Sequence, residues 1–416
     1  MAQPNPNSID SIECLILFLV AALVTIMLVP AAKAIAVHFD AIDYPNARRV
    51  NTKPTPRMGG VAMLGGLVAA VAVAVVGTRL FGWNDLFASH PSLDVNYAGV
   101  AVSVLFMFAV GAVDDVVGLN PKVKLAGQVV AACIAVASGL LLSSIRSPFG
   151  PGVWYFGWAA YPLTVLYLVS FANVINLIDG LDGLAAGITA ISAFTIFMLS
   201  VSTGRPDAAI MAISLVGVCV GFLKSNFHPA SIFMGDSGSL MLGYTLGVVS
   251  LFAVARASAF VSLLVPLLAA GVPILDTASA IVRRIRAHQP IDAPDKGHIH
   301  HRLLESGFSQ RKTVLIMWAW TAALSVCGMA LSLLDDPLRL VVVVVAAAVT
   351  AWGVFKLHLL SPVLIHHYHP RGRRDDYAPS DASADAAAGQ GASSAEPAEP
   401  AEPADSAARP DASQGR

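Results

Sequence analysis

The sequence predicts an all-α polytopic membrane protein with about eleven transmembrane helices. Of its 416 residues, 56% are hydrophobic and only 13% are charged, whereas a soluble domain carries roughly 25% charged residues. Apolar runs near the roughly 20 residues that a transmembrane helix needs recur along the chain. The formal net charge is −1, and nothing in the charge pattern indicates a nucleic-acid partner.

The first apolar run follows Asp10 and Glu13 without any basic residue. A secretory signal would open with positive charge and close with small residues at a cleavage site, so we interpret this run as a retained first span. The predicted spans are roughly 12–37, 58–77, 97–113, 123–143, 160–178, 184–203, 208–225, 238–255, 258–283, 313–334 and 338–357.

Lysine and arginine in the loops predict the orientation, because cytoplasmic loops carry an excess of both. Fourteen of them follow odd-numbered spans and five follow even-numbered spans. The odd side is therefore predicted to be cytoplasmic, with the N-terminus outside and the C-terminus inside. The chain then divides into a short external N-terminus (1–11), a transmembrane catalytic domain (12–357) and a cytoplasmic tail (358–416). The tail contains the repeat AEPAEPAEPAD and is predicted to be disordered from about residue 371.

Five polar clusters follow the first, third, fifth, seventh and ninth spans, so all fall on the predicted cytoplasmic face. They are NTKPTPRMGG (51–60), DDVVGLNPKVKLAGQ (114–128), NVINLIDGLDGLAAG (173–187), SNFHPASIFMGDSGSLMLG (225–243) and DAPDKGHIHHRL (292–303). One ionisable residue in such a loop is usually an ordinary interfacial charge, whereas ionisable groups at membrane depth usually mark a site. Five clusters on one face predict a shared active site.

The residue types in these clusters suit phosphate chemistry. Carboxylates are hard oxygen ligands for Mg²⁺, which is typically shared between one or two carboxylates and substrate phosphates. Asn173 and Asn176 would share a helix face, and the helix that opens with GDSGS offers free N–H groups to a phosphate. Lysine and arginine bind phosphate oxygens, and histidine titrates near neutral pH. The residues concerned are Asp114, Asp115, Asp179, Asp182, Asp236, Lys53, Lys124, Arg302, His298, His300 and His301.

This combination predicts the transfer of a phosphate-containing group to or from a membrane lipid. No GxxxxGK[ST] loop accompanies it, which argues against a P-loop ATPase. The HIHH stretch could instead hold zinc, although it has no nearby cysteine ligand and its spacing differs from HExxH. Asp40 and Asp43 could be ordinary loop charges, and Asp276 could belong to the site or be a paired structural carboxylate.

Four segments, DDVVGLNPKVKLAGQ, NVINLIDGLDGLAAG, FMGDSGSLMLG and HIHHRL, resemble the signature segments of the polyprenyl-phosphate N-acetylhexosamine-1-phosphate transferases, of the glycosyltransferase 4 type. The resemblance extends from about the first span to the eleventh. It implies that a polyprenyl phosphate attacks the β-phosphorus of a UDP-linked N-acetylhexosamine, that UMP leaves, and that a polyprenyl-diphospho-sugar stays in the bilayer. It also implies a multi-pass protein of the bacterial plasma membrane that uses Mg²⁺, with Mn²⁺ as a substitute, and leaves a homodimer open.

The resemblance also implies roles for individual residues. Asp236 would be a metal ligand with Asn176 as the second, and Asp114 would be the base that keeps the lipid phosphate ionised. Asp115 would hold Lys124 or the metal shell. The remaining substrate-binding residues would be Lys53, Asn173, Asp179 and Asp182, with Asn226 and Phe233 at the uridine and His298, His300, His301 and Arg302 at the diphosphate and sugar.

The HIHH segment resembles the branch that takes UDP-N-acetylglucosamine (UDP-GlcNAc) and undecaprenyl or decaprenyl phosphate, in the first membrane step of a cell-wall or envelope polysaccharide. The branch that uses UDP-N-acetylmuramoyl-pentapeptide typically has three consecutive histidines and then an aromatic residue. One departure is Asn51, where the UDP-GlcNAc branch often has histidine. The alternatives are the same transfer with another UDP-amino sugar, a non-catalytic lipid or sugar sensor, and an ion-coupled transporter, which should place polar residues near mid-span.

Overall fold

α-Helices and two small β-hairpins make up the described part of the computed structural model, residues 11–44, 53–83, 95–146, 152–254, 260–286, 288–289, 297–334, 336–357 and 359. The helices are α1 (Ser11–His38), α2 (Gly59–Phe81), α3 (Tyr97–Val117), α4 (Pro121–Ala137), α5 (Ala160–Ile178), α6 (Leu184–Ser202), α7 (Pro206–Asn226), α8 (Gly235–Val254), α9 (Phe260–Ala269), α10 (Gly271–Arg286), α11 (Ile299–Glu305), α12 (Gln310–Leu333) and α13 (Asp336–Lys356). The strands are β1 (Ile42–Asp43), β2 (Thr55–Pro56), β3 (Ser144–Arg146) and β4 (Val153–Tyr155).

Within these residues, nine helices are long and apolar enough to cross a membrane, namely α1, α2, α3, α5, α6, α7, α8, α12 and α13. Each coincides with a predicted span. An all-α polytopic membrane protein is thus confirmed. All described residues belong to one compact unit, residues 1–363. The tail predicted to be disordered from about residue 371, residues 1–10 and Asn51 lie outside the described residues.

Two predicted spans differ from the structure. The fourth, predicted at 123–143, is helix α4, which ends at Ala137 after 17 residues, because Gly139 adopts a left-handed φ of 89°. The ninth, predicted at 258–283, consists of α9 and α10, which are bent by 73°. Pro273 has no N–H to donate to the carbonyl of the preceding turn, so the helix breaks at this point. Both segments are apolar, so hydropathy alone does not reveal either break.

Helix α8 is the central helix of the bundle. The apolar stretch of α8 that is long enough to cross a membrane is fully buried. The helix contacts α2, α3, α5, α6 and α7. A Cβ atom on Gly243 would lie 2.4 Å from the carbonyl oxygen of Phe171 in α5. A Cβ atom on Gly111 in α3 would lie 2.3 Å from the carbonyl oxygen of Asp236. Small residues therefore let the helix backbones approach closely, as is common between helices in lipid.

The loop between α1 and α2 is fixed to the start of α8 by backbone hydrogen bonds. Strands β1 and β2 pair in antiparallel fashion, with Ile42 opposite Pro56. The Phe233 N–H donates to the Pro56 carbonyl at 2.8 Å, and the Gly59 N–H donates to the Phe233 carbonyl at 2.9 Å. The Gly60 N–H donates to the next carbonyl, at 2.9 Å. This pairing brings the first polar cluster of the sequence beside the fourth.

We expect Gly60→Ala to destabilise the protein more than Gly65→Ala, although both lie in α2. A Cβ atom at Gly60 would lie 2.4 Å from the backbone nitrogen of Gly238, whereas at Gly65 the nearest atom is Leu28 Cδ1 at 2.2 Å. The leucine side chain can rotate, but the α8 backbone cannot move alone. We expect Gly60→Ala to lower the free energy of unfolding by about 1–3 kcal/mol. Equal melting temperatures for the two detergent-solubilised variants would contradict the close contact between α2 and α8.

Candidate active site

A partly buried lysine connects the carboxylates of two helices. Lys124 Nζ, in the first turn of α4, lies 2.9 Å from Asp114 Oδ2 at the end of α3. The same nitrogen lies 2.8 Å from Asp236 Oδ1 in the first turn of α8. It also donates to Asn176 Oδ1, near the end of α5, at 3.5 Å. One ammonium group therefore holds together side chains from three helices.

The neighbouring carboxylate, Asp115, caps α8. Its Oδ1 accepts the N–H of Asp236 at 2.7 Å, and its Oδ2 accepts the N–H of Ser237 at 2.9 Å. The guanidinium of Arg57 donates to the Asp115 carbonyl oxygen at 2.9 Å. Gly235 has a φ of +69°, and a Cβ there would lie 2.5 Å from Asp115 Oδ2. Only glycine fits this position without strain.

This cap corrects one expectation. The sequence predicted that free N–H groups at the start of α8 would receive a phosphate, but the Asp115 carboxylate accepts those of Asp236 and Ser237. The sequence could not show that α3 ends against α8. Asp115 was also expected to hold Lys124 or the metal shell. The first alternative is wrong, because Lys124 pairs with Asp114 and Asp236, and the second stays a prediction.

Asn173 and Asn176 share one face of α5, as their spacing predicted, and both contact α4. The Asn176 side-chain amide donates to Asp236 Oδ1 and, at 2.8 Å, to Ser239 Oγ. Asn173 Nδ2 donates to Gln128 Oε1 at 2.5 Å, and Gln128 lies one helical turn after Lys124. This Asn173–Gln128 pair fixes α4 against α5, one turn away from the Lys124–Asn176 contact.

A cavity of about 380 Å³ opens at this end of the bundle. The predicted site residues that line it are Asp115, Asn176, Asp179, Asp182, Asn226, Phe233, Asp236, His300 and His301. Predicted residues outside the lining are Lys53, Asp114, Lys124, Asn173, His298 and Arg302. Asp114 and Lys124 nevertheless contact Asp236 or its partners. With Arg57 from the first polar cluster also in the lining, the cavity unites residues from all five clusters.

Sequence reasoning missed several residues in the lining, among them Asp43, Arg57, Ser239 and Gln310. Arg57 belongs to the cluster NTKPTPRMGG, where nothing in the sequence distinguished it from Lys53. Ser239 lies three residues after Asp236 in α8, so the helical spacing was the available signal. Asp43 had been interpreted only as an ordinary loop charge. Its pairing in the β1–β2 hairpin brings it to the cavity.

The turn between α5 and α6 holds two carboxylates in different environments. Burial, and then the negative charges of Asp236, Asp115 and Asp182, raises the pKa of Asp179 well above its usual value. Asp182 Oδ2 instead lies 2.7 Å from His228 Nδ1 and accepts the Ala230 N–H at 3.1 Å. Asp182 therefore connects this turn to the loop before α8, while the charged form of Asp179 is disfavoured in the cavity.

Asn226 is fixed by backbone groups on either side. Its Oδ1 accepts the N–H of Gly183 at 3.0 Å, and its Nδ2 donates to the Ile232 carbonyl at 3.0 Å. Gly183 has a φ of +78°, which allows the chain to turn sharply into α6. Asn226 thus holds two loops together in the cavity lining, where the uridine contact was predicted.

The histidines of HIHH have different partners. His298 Nδ1 lies 2.9 Å from Asp276 Oδ2, and Asp276 Oδ1 accepts the Ile299 N–H at 2.8 Å. Asp276 is thus a paired carboxylate that fixes the start of α11. Burial, together with the nearby His301 ring, lowers the pKa of His300 to about 3. His300 is therefore neutral near pH 7 and can offer phosphate a hydrogen bond but no charge.

The structure does not bring Arg302 or Lys53 to the cavity. Arg302 donates from Nε to the Gly297 carbonyl at 3.0 Å and from a terminal nitrogen to the Leu357 carbonyl at 3.1 Å. Arg283 of α10 similarly donates to the Leu359 carbonyl at 2.6 Å. Both arginines therefore join the region around α11 to the end of α13. Lys53 is exposed just before β2.

The donor atoms around Asp236 fit a hard divalent cation in their chemistry. The Asp236 carboxylate accepts the Asn176 side-chain N–H at the cavity, and Asp179 is also in the lining. The Asn176 amide oxygen, the atom that could bind a metal, lies 3.5 Å from Lys124 Nζ. Among the described residues, no three His, Cys, Asp or Glu side chains converge on one metal position. Mg²⁺ commonly takes only one or two protein carboxylates and completes its octahedron with water and substrate phosphates, so the Asp236–Asn176 pair is compatible with it.

Comparison with known proteins agrees with these features. The family model described as Glycosyl transferase family 4 matches residues 97–254. A probable undecaprenyl-phosphate N-acetylglucosaminyl 1-phosphate transferase from Bacillus subtilis (strain 168) is 38% identical over 307 residues, which are 74% of this chain and 82% of the relative. A decaprenyl-phosphate N-acetylglucosaminephosphotransferase from Mycolicibacterium smegmatis is 37% identical over 370 residues, or 84% and 89% of the two chains.

A more distant relative is the phospho-N-acetylmuramoyl-pentapeptide-transferase from Moorella thermoacetica, which is 32% identical over 344 residues, or 76% of this chain and 98% of that protein. The family match contains Asp114, Asp115, Lys124, Asn176 and Asp236, the residues that meet at the centre of the site. Since relatives at 37% and 38% identity also cover most of its length, the chain belongs to glycosyl transferase family 4.

Proposed function

We propose that this protein transfers N-acetylglucosamine-1-phosphate from UDP-GlcNAc to a polyprenyl phosphate, which releases UMP and leaves polyprenyl-diphospho-GlcNAc in the membrane. The observation that carries the proposal is the cavity at one end of the apolar helices, in which Asp236, Asn176 and Asp179 converge. Two of the relatives described above are named for transfer of this group to undecaprenyl or decaprenyl phosphate. A site at a helix end suits a reaction between a water-soluble nucleotide and a lipid.

Asp236 and Asn176 would hold Mg²⁺, which when bound would neutralise charge on the substrate phosphates. Lys124 keeps Asp236 in place and offsets its charge, because its ammonium lies between Asp236 and Asp114. Asp114 remains our candidate for the base; it lies outside the cavity lining, and Lys124 joins it to Asp236. Asp115 acts by orienting the first turn of α8, and with it Asp236. Catalysis of this kind depends mainly on positioning and charge neutralisation.

The same transfer with another UDP-amino sugar is a second candidate, because the Moorella thermoacetica relative is named for N-acetylmuramoyl-pentapeptide transfer. The HIHH stretch, in place of three consecutive histidines, favours UDP-GlcNAc. An ion-coupled transporter is not favoured, because the polar groups described here collect at one end of the helices and not near mid-span.

We expect purified protein to move label from radiolabelled UDP-GlcNAc into a butanol-extractable polyprenyl product, with equimolar UMP and only when Mg²⁺ is present. Asp236→Asn should lower this rate by about 100-fold or more, because it weakens the site for the Mg²⁺ that would neutralise charge at the reacting phosphates. Asp40→Asn is the matched control, since Asp40 is exposed outside the cavity, and it should retain the wild-type rate.

The same assay is repeated with unlabelled UDP-sugars added as competitors of the labelled UDP-GlcNAc. Stronger competition by another UDP-amino sugar, or UMP release with that sugar alone, would transfer the proposal to a neighbouring branch of the family. The absence of both products with every sugar would leave sensing or transport as the explanation.

We further propose eleven spans in the bacterial plasma membrane, counting α4 and the bent α9–α10 pair, with the N-terminus outside and the site in the cytoplasm. The excess of lysine and arginine in the loops that follow the odd-numbered spans supports this orientation. In a background without the four native cysteines, a membrane-impermeant maleimide added to intact cells should label Thr203→Cys, after α6, but not Ser231→Cys, before α8. The opposite labelling would invert the topology.

Asp179 makes the stability of the protein depend on pH. Because the folded-state pKa of this carboxyl is raised by burial and neighbouring carboxylates, its stabilising contribution is present at low pH and is lost as the pH rises through that value. Without Mg²⁺, Asp179→Asn should therefore melt at a higher temperature than the wild type at pH 8. The difference should vanish near pH 4, about the ordinary pKa of an aspartate. Asp40→Asn should show no gain. A lower melting temperature for Asp179→Asn at pH 8 would contradict the argument.

A further inference from the structure

We propose that Arg57 binds a substrate phosphate group in this active site, a role that rests on the proposed function. Arg57 lies between β2 and α2, and its backbone N–H donates to the Ala41 carbonyl at 2.9 Å. Its side chain lines the cavity together with Asp236 and Asn176. Backbone hydrogen bonds from Phe233 to Pro56 and from Gly60 to Met234 hold this loop beside α8.

The guanidinium of Arg57 has N–H donors that make no hydrogen bond within the described part of the chain. One terminal nitrogen donates to the Asp115 carbonyl at 2.9 Å. The Nε atom is buried and has no hydrogen-bond partner among the described residues. A guanidinium carries five N–H donors, and an unmet buried donor on a charged group is costly. The side chain is thus held by one contact, with further donors left for an anionic ligand.

The charges around the cavity favour the same role. Asp43, Asp115, Asp179, Asp182 and Asp236 all contribute to its lining. Arg57 is the one lysine or arginine that lines it within the described part of the chain.

Lys124 lies behind the lining and is already paired with two carboxylates. Arg57 is therefore the positively charged side chain that a phosphate entering the cavity would contact. Arginine is suited to this contact because its planar fork can bind two phosphate oxygens at once.

The phosphate can come from either substrate, since UDP-GlcNAc carries a diphosphate and the lipid carries a monophosphate. Steady-state kinetics separates them. We would measure KM for each substrate, with the other held at saturation, in the wild type, Arg57→Gln and Arg57→Lys. Arg79→Gln is the matched control, because it removes an exposed arginine from the other end of the same helix, outside the cavity.

We expect Arg57→Gln to raise KM for one substrate by about 10- to 100-fold, the effect of losing a charge-assisted hydrogen bond. Arg57→Lys should recover part of the loss, since it keeps the charge but not the fork. A higher KM for UDP-GlcNAc would assign Arg57 to the donor diphosphate, and a higher KM for the lipid would assign it to the acceptor. Arg79→Gln should keep both KM values.

Unchanged KM values with a lower kcat or melting temperature would overturn the proposal, because Arg57 would then act only by holding Asp115. Calorimetric binding of UDP in the presence of Mg²⁺ gives a readout that does not need turnover. If the wild type forms no product, the proposed function fails, while weaker UDP binding by Arg57→Gln than by Arg79→Gln would still support phosphate binding. In an inactive protein, equal binding of both UDP and polyprenyl phosphate by all variants would overturn both.

Discussion

The cap that Asp115 places on α8 is the interaction on which the rest of the site depends. Buried N–H groups at a helix start need partners, and here a carboxylate from the end of α3 supplies them. With α8 fixed in this way, Asp236 points at Lys124 and Asn176. The arrangement needs backbones in close contact, which explains why Gly111 and Gly235 occupy positions where a Cβ would meet α8 or Asp115 itself.

Charge is the second constraint. Five aspartates line one small cavity, and carboxylates that are close together disfavour each other's ionised form. Lys124 relieves this repulsion on the side of Asp114 and Asp236. A phosphate entering alone would add negative charge, whereas a cation and a phosphate entering together would balance each other. The acidity of the cavity is therefore a reason for a nucleotide to enter accompanied by a divalent cation, and for the protein to keep an arginine at the cavity wall.

The sequence was sufficient to predict the helical bundle and the clusters that meet at the cavity, because hydropathy and polar clustering depend only on local residue types. The sequence was insufficient where tertiary packing determines the end of a helix or the partner of a side chain. The break between α9 and α10 and the early end of α4 fall inside apolar runs. Arg302 and Lys53 had the right charge, but only the fold shows that Arg302 binds backbone carbonyls. Arg57 was indistinguishable from its basic neighbours until its loop was placed beside α8.

The contacts of Arg283 and Arg302 with the carbonyls of Leu359 and Leu357 have a practical consequence. The residues that directly follow α13 thus support the region of the HIHH segment and contribute to the scaffold of the site, although they lie far from Asp236 in sequence. Ending the chain before Leu357 would remove one carbonyl acceptor from each of these arginines. Any shortened form of this protein should therefore retain Leu357 and Leu359.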